Sequence, residues 1–321
     1  MSDVLSVVVD GIWRQGDRNL AVRLVTENGA ALPGWQPGAH IDVHLPCGLI
    51  RQYSLTGDAA RAESYLICVA QEGASRGGSR YIHETLRPGQ KLLISPPRNL
   101  FTLHEDEPVI LLAAGIGITP LYAMLLRLEA AGRPFALHYF VKHRGSAAFL
   151  PELTRPFNHG VCVVHCSAEG QSPRNTLAEI LPGPDSWRHL YVCGPVGFMA
   201  AVRDAGAAKG WPEERIHSEA FQPVAPPVAL GEETFTVTLA SSGESWPVPA
   251  GQSIARVLQD HGVAVPLSCE MGICGACLTP VIDGTVDHRD TVQSEAEKSA
   301  SAQQIALCCS RSRSARLVID L

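Results

Sequence analysis

Over the first hundred residues apolar positions come in short runs at roughly ten-residue spacing: Leu5–Asp10, Ala21–Val25, Ile41–Leu45, Ile50–Leu55, Tyr65–Ala70 and Lys91–Ser95. Gly and Pro stand between many of them, so the pattern predicts a small antiparallel β-barrel with one short helix near Ser79–Leu86. From Glu107 the period changes. Val109–Ala113 is an unbroken apolar run, Leu121–Leu128 is helical, Phe135–Val141 and Val161–Cys166 read as strands, and His189–Cys193 precedes a helix from Val196 to Lys209. Strands alternating with helices predict a parallel sheet with both faces covered. Gln222 to Glu233 holds Pro223, Pro226, Pro227 and Gly231 without periodicity and reads as a linker. After it, Phe235–Leu239 and Glu244–Val248 predict a hairpin, Ser253 caps a helix to His261, and Leu317–Leu321 closes as a strand. The expected organisation is an antiparallel barrel over 1–104, an α/β parallel-sheet domain over 105–224, a linker over 225–233 and a compact α+β domain over 234–321.

A chain of 321 residues is too long for one small module, and 45% apolar against 18% charged residues leaves ample material for packed cores. The net charge of −6, with no run of basic residues, argues against nucleic acid as a partner. The longest apolar runs, Val109–Ala114 and Leu121–Leu126, fall far short of the roughly 20 residues a bilayer demands, and Asp3 and Asp10 interrupt the N-terminus. The expectation is a soluble cytoplasmic protein with neither membrane span nor secretion signal.

Ten cysteines are unevenly spread, and in such a chain clustered thiols suggest metal or redox chemistry before disulfides. Cys47, Cys68, Cys162, Cys166 and Cys193 are scattered among strand-like stretches, and the first four are expected to be buried small hydrophobes. Cys269, Cys274 and Cys277 have the spacing C-x4-C-x2-C, with Cys308 and Cys309 further on. This is the plant-type arrangement for a [2Fe–2S] cluster: three sulfurs on one loop wrap it and a fourth from a distant segment clamps it. Gly272, Gly275 and Ala276 let backbone N–H groups approach the sulfides. A zinc knot would usually pair two short C-x2–4-C arms, and only one is present. Spacing alone leaves Cys308 and Cys309 as rivals for the fourth position.

Arg51-Gln52-Tyr53-Ser54-Leu55 ends a barrel strand with a guanidinium for phosphate and aromatic and hydroxyl groups for an isoalloxazine edge. Ser75-Arg76-Gly77-Gly78-Ser79 opens the short helix, where free N–H groups form an anion site. Two phosphate-binding elements on one barrel point to a flavin mononucleotide. Ala113-Ala114-Gly115-Ile116-Gly117-Ile118-Thr119-Pro120 runs from strand to helix where α/β sheets bind nucleotides, but Pro120 stands where G-x-G-x-x-G needs its third glycine. Cys193-Gly194-Pro195 is a second such turn.

With these motifs the chain resembles, over essentially its whole length, the phthalate dioxygenase reductase family, which includes vanillate O-demethylase reductases. The shared features are R-x-Y-S-L, G-x-G-x-T-P, C-G-P and the cysteine loop, in that order. The resemblance implies a flavin barrel, an NAD-binding α/β domain and a β-grasp ferredoxin domain. It implies FMN, NADH and a [2Fe–2S] cluster, with hydride passing from NADH to FMN and single electrons through the cluster to a Rieske-type oxygenase in aromatic compound degradation. By position it implies that Arg51 and Ser79 hold the FMN phosphate beside Gln52, Gly77 and Gly78, with Tyr53 next to the ring and Ser54 near its reactive nitrogen. Thr119 and Cys193 would flank the nicotinamide, among Gly115, Gly117, Pro120, Gly194 and Pro195, so Ser54, Thr119 and Cys193 are the expected catalytic residues. Phe221 matches an aromatic near the flavin, Cys308 the fourth cluster ligand, and Cys309 a packing residue. Two features depart from the family: Ala114 stands where glycine is frequent, and Lys142, His143 and Arg144 follow the second strand, where an acidic residue would favour NADH. Asp287-His288-Arg289-Asp290 has the letters of a kinase catalytic loop without its other motifs, and reads as packing under the cluster loop. Other readings give the electrons to a haem-thiolate monooxygenase or, more remotely, make the chain a metal-binding scaffold.

Overall fold

Seven strands close on themselves in the computed structural model, which describes residues 4–61, 63–73, 77–221 and 233–321. Ser75, Arg76 and positions 225–232 of the expected linker therefore lie outside the described residues. The chain divides into two compact units, Met1–Glu219 and Ala220–Leu321. In the first, β1 (Leu5–Arg14), β2 (Asn19–Val25), β3 (Ala39–His44), β4 (Ile50–Thr56), β5 (Tyr65–Ala70), β6 (Lys91–Ile94) and β7 (Arg98–Asn99) pair antiparallel in the order β4-β5-β2-β1-β6-β3-β7. A β4–β3 pairing closes the barrel. Val7 and Val9, two apart on β1, point inward with Leu24, Ile41, Val43, Leu55, Ile67 and Ile94. The short helix α1 (Gly78–Glu84) packs Ile82 into this core.

The second sheet of this unit contains β8 (Val109–Ala114), β9 (Phe135–Val141), β10 (Gly160–Cys166), β11 (His189–Cys193) and β12 (Ile216–Glu219), all parallel, in the order β10-β9-β8-β11-β12. All six residues of β8 are buried, as a strand covered on both faces requires. The helices are α2 (Ile118–Ala130), α3 (Leu150–Leu153), α4 (Pro173–Ile180) and α5 (Val196–Ala208). The chain leaves β8 toward β10 and returns to β11, so the order reverses between β8 and β11. Ligands of open α/β sheets bind at that switch point, beyond the strands' carboxyl ends, and the turns at Gly115 and Gly194 lie there.

The second unit has a mixed sheet in the order β14-β13-β19-β15-β17. Its elements are β13 (Phe235–Leu239), β14 (Ser245–Val248), α6 (Ile254–Asp260), β15 (Leu278–Asp283), β16 (Val286–Asp287), α7 (Glu295–Lys298), β17 (Gln304–Ala306), β18 (Arg311–Ser312) and β19 (Arg316–Ile319). The predicted hairpin forms, β19 adds parallel to β13, and Ser253 caps α6 by accepting from the Arg256 N–H at 3.2 Å. Together they make a β-grasp domain. Arg311 is buried beneath it, its guanidinium donating to the carbonyls of Gln252 at 2.6 Å, Pro249 at 3.2 Å and Glu233 at 3.2 Å and lying over the Phe235 ring. Arg311→Met leaves those carbonyls without their charged donor, and the expected result is a loss of about 3 kcal/mol or more, read as a lower urea midpoint for the iron–sulfur band.

One expectation needs correction. Cys47 is exposed, because it stands in the surface turn between β3 and β4, and Cys162 is only half-buried on the edge strand β10; Cys68 and Cys166 are buried as expected.

Candidate functional site

In the second unit the cysteine loop is held in a left-handed path. Glu270, Gly272 and Gly275 have φ of 55°, 71° and 69°. A Cβ on Gly272 would stand 2.5 Å from Cys309 Sγ and 3.0 Å from Asp290 Cα, so glycine is required there on both conformational and steric grounds. Asp290 is buried, accepts from the Gln293 N–H at 3.1 Å and the Ser310 hydroxyl at 3.3 Å, and the following Thr291 N–H donates to the Gly272 carbonyl at 2.9 Å. The segment from Asp287 thus backs the loop.

The four expected ligands meet. Cys269 Sγ contacts those of Cys274 and Cys308, and Cys308 Sγ also contacts Cys277. Hydrogen bonds from Cys274 and Cys308 draw the Cys269 thiol down to about 2, the Cys308 thiol likewise lowers Cys277, and the two donors are pushed up in turn. Two of the four sulfurs are thus held toward thiolate and two act as their donors, and a cluster would take all four as thiolates. The Met271 N–H points at Cys269 Sγ at 3.3 Å and the Ala276 N–H at Cys274 Sγ at 3.4 Å, the kind of donor that tunes a cluster's potential. This donor set fits a [2Fe–2S] cluster. Cys308 stands with the sulfurs, whereas Cys309 packs against Gly272 behind the loop.

In the first unit Arg51, Gln52, Tyr53 and Ser54 lie on β4. A Cβ on Gly78 would stand 2.5 Å from Arg51 Cγ and 2.9 Å from its Nε, so glycine alone lets the Arg51 stem cross the start of α1. Arg51 and the Gly77-Gly78-Ser79 turn therefore converge, as two grips on one phosphate would. The Ser79 hydroxyl accepts from the Glu72 N–H at 3.3 Å. Tyr53 packs on the barrel core, and burial pushes its phenol up against the opposing charge of Arg51. Gln52 turns its amide to the buried Asp42 at 3.0 Å, itself paired with Arg98 at 2.8 Å, so its side chain is not among the converging groups.

At the switch point Ser54 donates its hydroxyl to Glu219 Oε2 at 3.4 Å, and Glu219 is the register partner of Cys193 across β11 and β12. Desolvation pushes the Glu219 carboxyl up to about 8, opposed by the Ser54 hydrogen bond. Burial, then the Glu219 charge, pushes the Cys193 thiol well above its ordinary value, so at neutral pH it is a neutral thiol. Thr119, buried in the first turn of α2, donates to the Ile116 carbonyl at 3.0 Å, and Pro120 follows it. A Cβ on Gly117 would stand 2.2 Å from the Cys193 carbonyl oxygen, which shows how closely the two turns pinch. A Cβ on Gly194 would stand 2.9 Å from that of Ala114, so the alanine packs against the second turn. Gly115 has φ 57° and Pro195 precedes α5. Phe221 lies in the second unit and is half-buried.

Glu219 was not among the expected site residues. Its signal was slight: one acid at the end of a strand with a single apolar residue, just ahead of the proline-rich stretch. The folded carboxyl titrates near 8 against an ordinary 4.5, so the folded state holds the extra proton between those values and stability falls as pH rises through them. The urea midpoint of a Glu219→Gln chain is accordingly expected to drop less between pH 5 and pH 8 than that of the wild type; an identical drop in both would place the titrating group elsewhere.

After β9, Arg144 faces Glu169 at 3.3 Å and His143 faces Asp17 at 3.5 Å, so acidic neighbours meet two of the three basic residues there. Among the described residues no helix is long and apolar enough to cross a membrane.

Comparison with known proteins adds four findings. Residues 237–313 match the family described as 2Fe-2S iron-sulfur cluster binding domain. The chain is 42% identical over 320 residues to a vanillate O-demethylase oxidoreductase of Acinetobacter baylyi, covering 99% of each chain. Among solved structures it is similar to phthalate dioxygenase reductase, described as a modular structure for electron transfer from pyridine nucleotides to [2Fe-2S], with a TM-score of 0.71, 35% identity, and coverage of 99% of this chain and 98% of that one. It is similar also to an intact type IV self-sufficient cytochrome P450 monooxygenase, with a TM-score of 0.89 and 36% identity over 99% of this chain, which spans 41% of that longer one.

Proposed function

We propose a specific electron acceptor, a Rieske-type oxygenase, for this chain, which belongs to the phthalate dioxygenase reductase family of iron–sulfur flavoprotein oxidoreductases. It is the reductase component of an oxygenase system, with NADH as donor and FMN and a [2Fe–2S] cluster as cofactors. When bound, FMN accepts a hydride and gives up electrons singly, and the cluster takes them one at a time.

The protein's own part is binding and placement. We assign 1–104 to the FMN barrel, 105–224 to the NAD domain and 234–321 to the cluster domain. Arg51, Gly77, Gly78 and Ser79 hold the flavin phosphate, and Tyr53 lines the ring. Ser54 presents a hydroxyl whose hydrogen bond to Glu219 fixes its direction. Thr119, Pro120 and the pinched turns at Gly115, Gly117, Cys193, Gly194 and Pro195 hold the nicotinamide, with the neutral Cys193 thiol giving a soft wall that competes for no proton. Arg144, already facing Glu169, is a poor receptor for a 2′-phosphate, which supports NADH. Free thiols and pyridine nucleotide suit a cytoplasmic setting.

What supports the Rieske reading is that the chain matches separate reductases end to end, a vanillate O-demethylase oxidoreductase and phthalate dioxygenase reductase, whereas it spans 41% of the P450 monooxygenase chain. The similarity to a P450 monooxygenase supports a haem-thiolate acceptor as the second reading. Reconstitution decides between them. NADH-driven turnover with a Rieske oxygenase and none with a haem-thiolate monooxygenase supports the first, and the reverse supports the second.

A further inference from the structure

Three histidines of the first unit meet at the end of the parallel sheet opposite the nucleotide turns. His189 opens β11, His217 lies on β12, and His104 precedes β8. One ring nitrogen from each lies within 4.8 Å of the others. We propose that His104, His189 and His217 form a binding site for a redox-inert divalent transition metal, represented by Zn2+, separate from the electron-transfer chain.

The arrangement has the parts a three-histidine zinc site needs. His189, whose side chain is 12% exposed, directs Nε2 at a Glu107 carboxylate oxygen 2.8 Å away. A carboxylate accepts only, so the proton sits on Nε2 and the lone pair on Nδ1 faces His217 Nε2 at 2.9 Å. Carboxylate–histidine–metal is the usual outer support of a zinc ligand, because it fixes the tautomer and raises the ring's basicity. The supporting frame is rigid: Tyr191 donates its hydroxyl to the Thr102 carbonyl at 2.9 Å, accepts the His104 N–H at 2.9 Å, and stacks on His217 with ring centres 4.6 Å apart. His104 is exposed and stacked on His189 at 4.2 Å, so its ring has room to tilt.

Zinc–nitrogen bonds of about 2.05 Å in a tetrahedron set the nitrogens about 3.3 Å apart, within a small side-chain adjustment of the positions here. Arg215 is an opposing charge near His189, and Glu107 counters it. Imidazole donors with an open fourth position suit zinc rather than calcium or magnesium. The site sits about 13 Å from Cys193, four residues along β11 at about 3.3 Å each, so it does not rest on the function proposed above.

The test is a calorimetric titration of the flavin- and cluster-loaded protein with Zn2+, in a Cys47→Ser background that removes the exposed thiol. One zinc per chain, saturating in the micromolar range, is expected. Affinity falls at least tenfold in His104→Ala and about 10–100-fold in Glu107→Gln, while the visible spectrum stays unchanged. His104 is a surface side chain, so this variant leaves the fold intact. A parallel thermal scan should show the wild type, but not His104→Ala, raised by zinc. Absence of saturable binding, or equal affinity in wild type and His104→Ala, overturns the proposal.

Discussion

A Cys274→Ser chain is expected to oxidise NADH onto its flavin at nearly the wild-type rate while NADH-driven reduction of cytochrome c falls about a hundredfold or more, the loss of one obligatory redox centre. Cys274 Sγ is buried, touches Cys269 and receives the Ala276 N–H. A serine hydroxyl at that position is a far poorer iron ligand, since soft thiolates are what iron–sulfur clusters select. Cys274 is not part of the apolar core formed by Phe235, Val237, Leu258, Ile305 and their neighbours, so the β-grasp unit keeps its packing. Arg51, Ser54, Thr119 and Cys193 lie in the other compact unit. Stopped-flow bleaching of the flavin and steady-state cytochrome c reduction separate the two activities. Full-rate cytochrome c reduction in the variant would show that electrons bypass the cluster.

Gly117→Ala is expected to strike the opposite step. The added methyl would lie 2.2 Å from the Cys193 carbonyl oxygen and 2.4 Å from its carbonyl carbon, and neither is a flexible side-chain end. The two turns must part, carrying Cys193 away from Thr119. A displacement of about 1 Å in a hydride-transfer site costs on the order of a hundredfold, so kcat/KM for NADH should fall by about that factor, or about 2.7 kcal/mol. Gly115→Ala is the informative control: a Cβ there meets nothing within 4 Å, and its φ of 57° adds only local strain. If both alanine variants behaved alike, the pinch between the turns would not be what positions the nicotinamide.

Much of this was legible in the sequence. Strands with strong apolar runs, such as Tyr65–Ala70, Phe135–Val141, His189–Cys193 and Phe235–Leu239, have the bounds their patterns predict, because burial on the sheet leaves them no other periodicity. β12 escaped notice because Ile-His-Ser-Glu carries one apolar residue and is a strand only by pairing with β11. Glu219 escaped with it, since its meaning lies in the register that sets it beside Cys193 and in reach of Ser54. Adjacent cysteines show the same limit. Spacing allowed either Cys308 or Cys309 as fourth ligand, and only the fold shows that Cys308 meets Cys269, Cys277 and Cys309 while the Cys309 sulfur also lies against Gly272. Cys47 looked like a core residue only while its neighbours, Pro46 and Gly48, were not read as a turn.

The central claim, that one chain couples a two-electron donor to a one-electron carrier, is tested most directly by anaerobic titration with NADH, following the flavin and iron–sulfur bands. The account predicts uptake of three electrons per chain, two on flavin and one on the cluster, and a much weaker response to NADPH. Protein that carries flavin and iron yet bleaches with neither nucleotide, or stops at two electrons with the cluster oxidised, would contradict it.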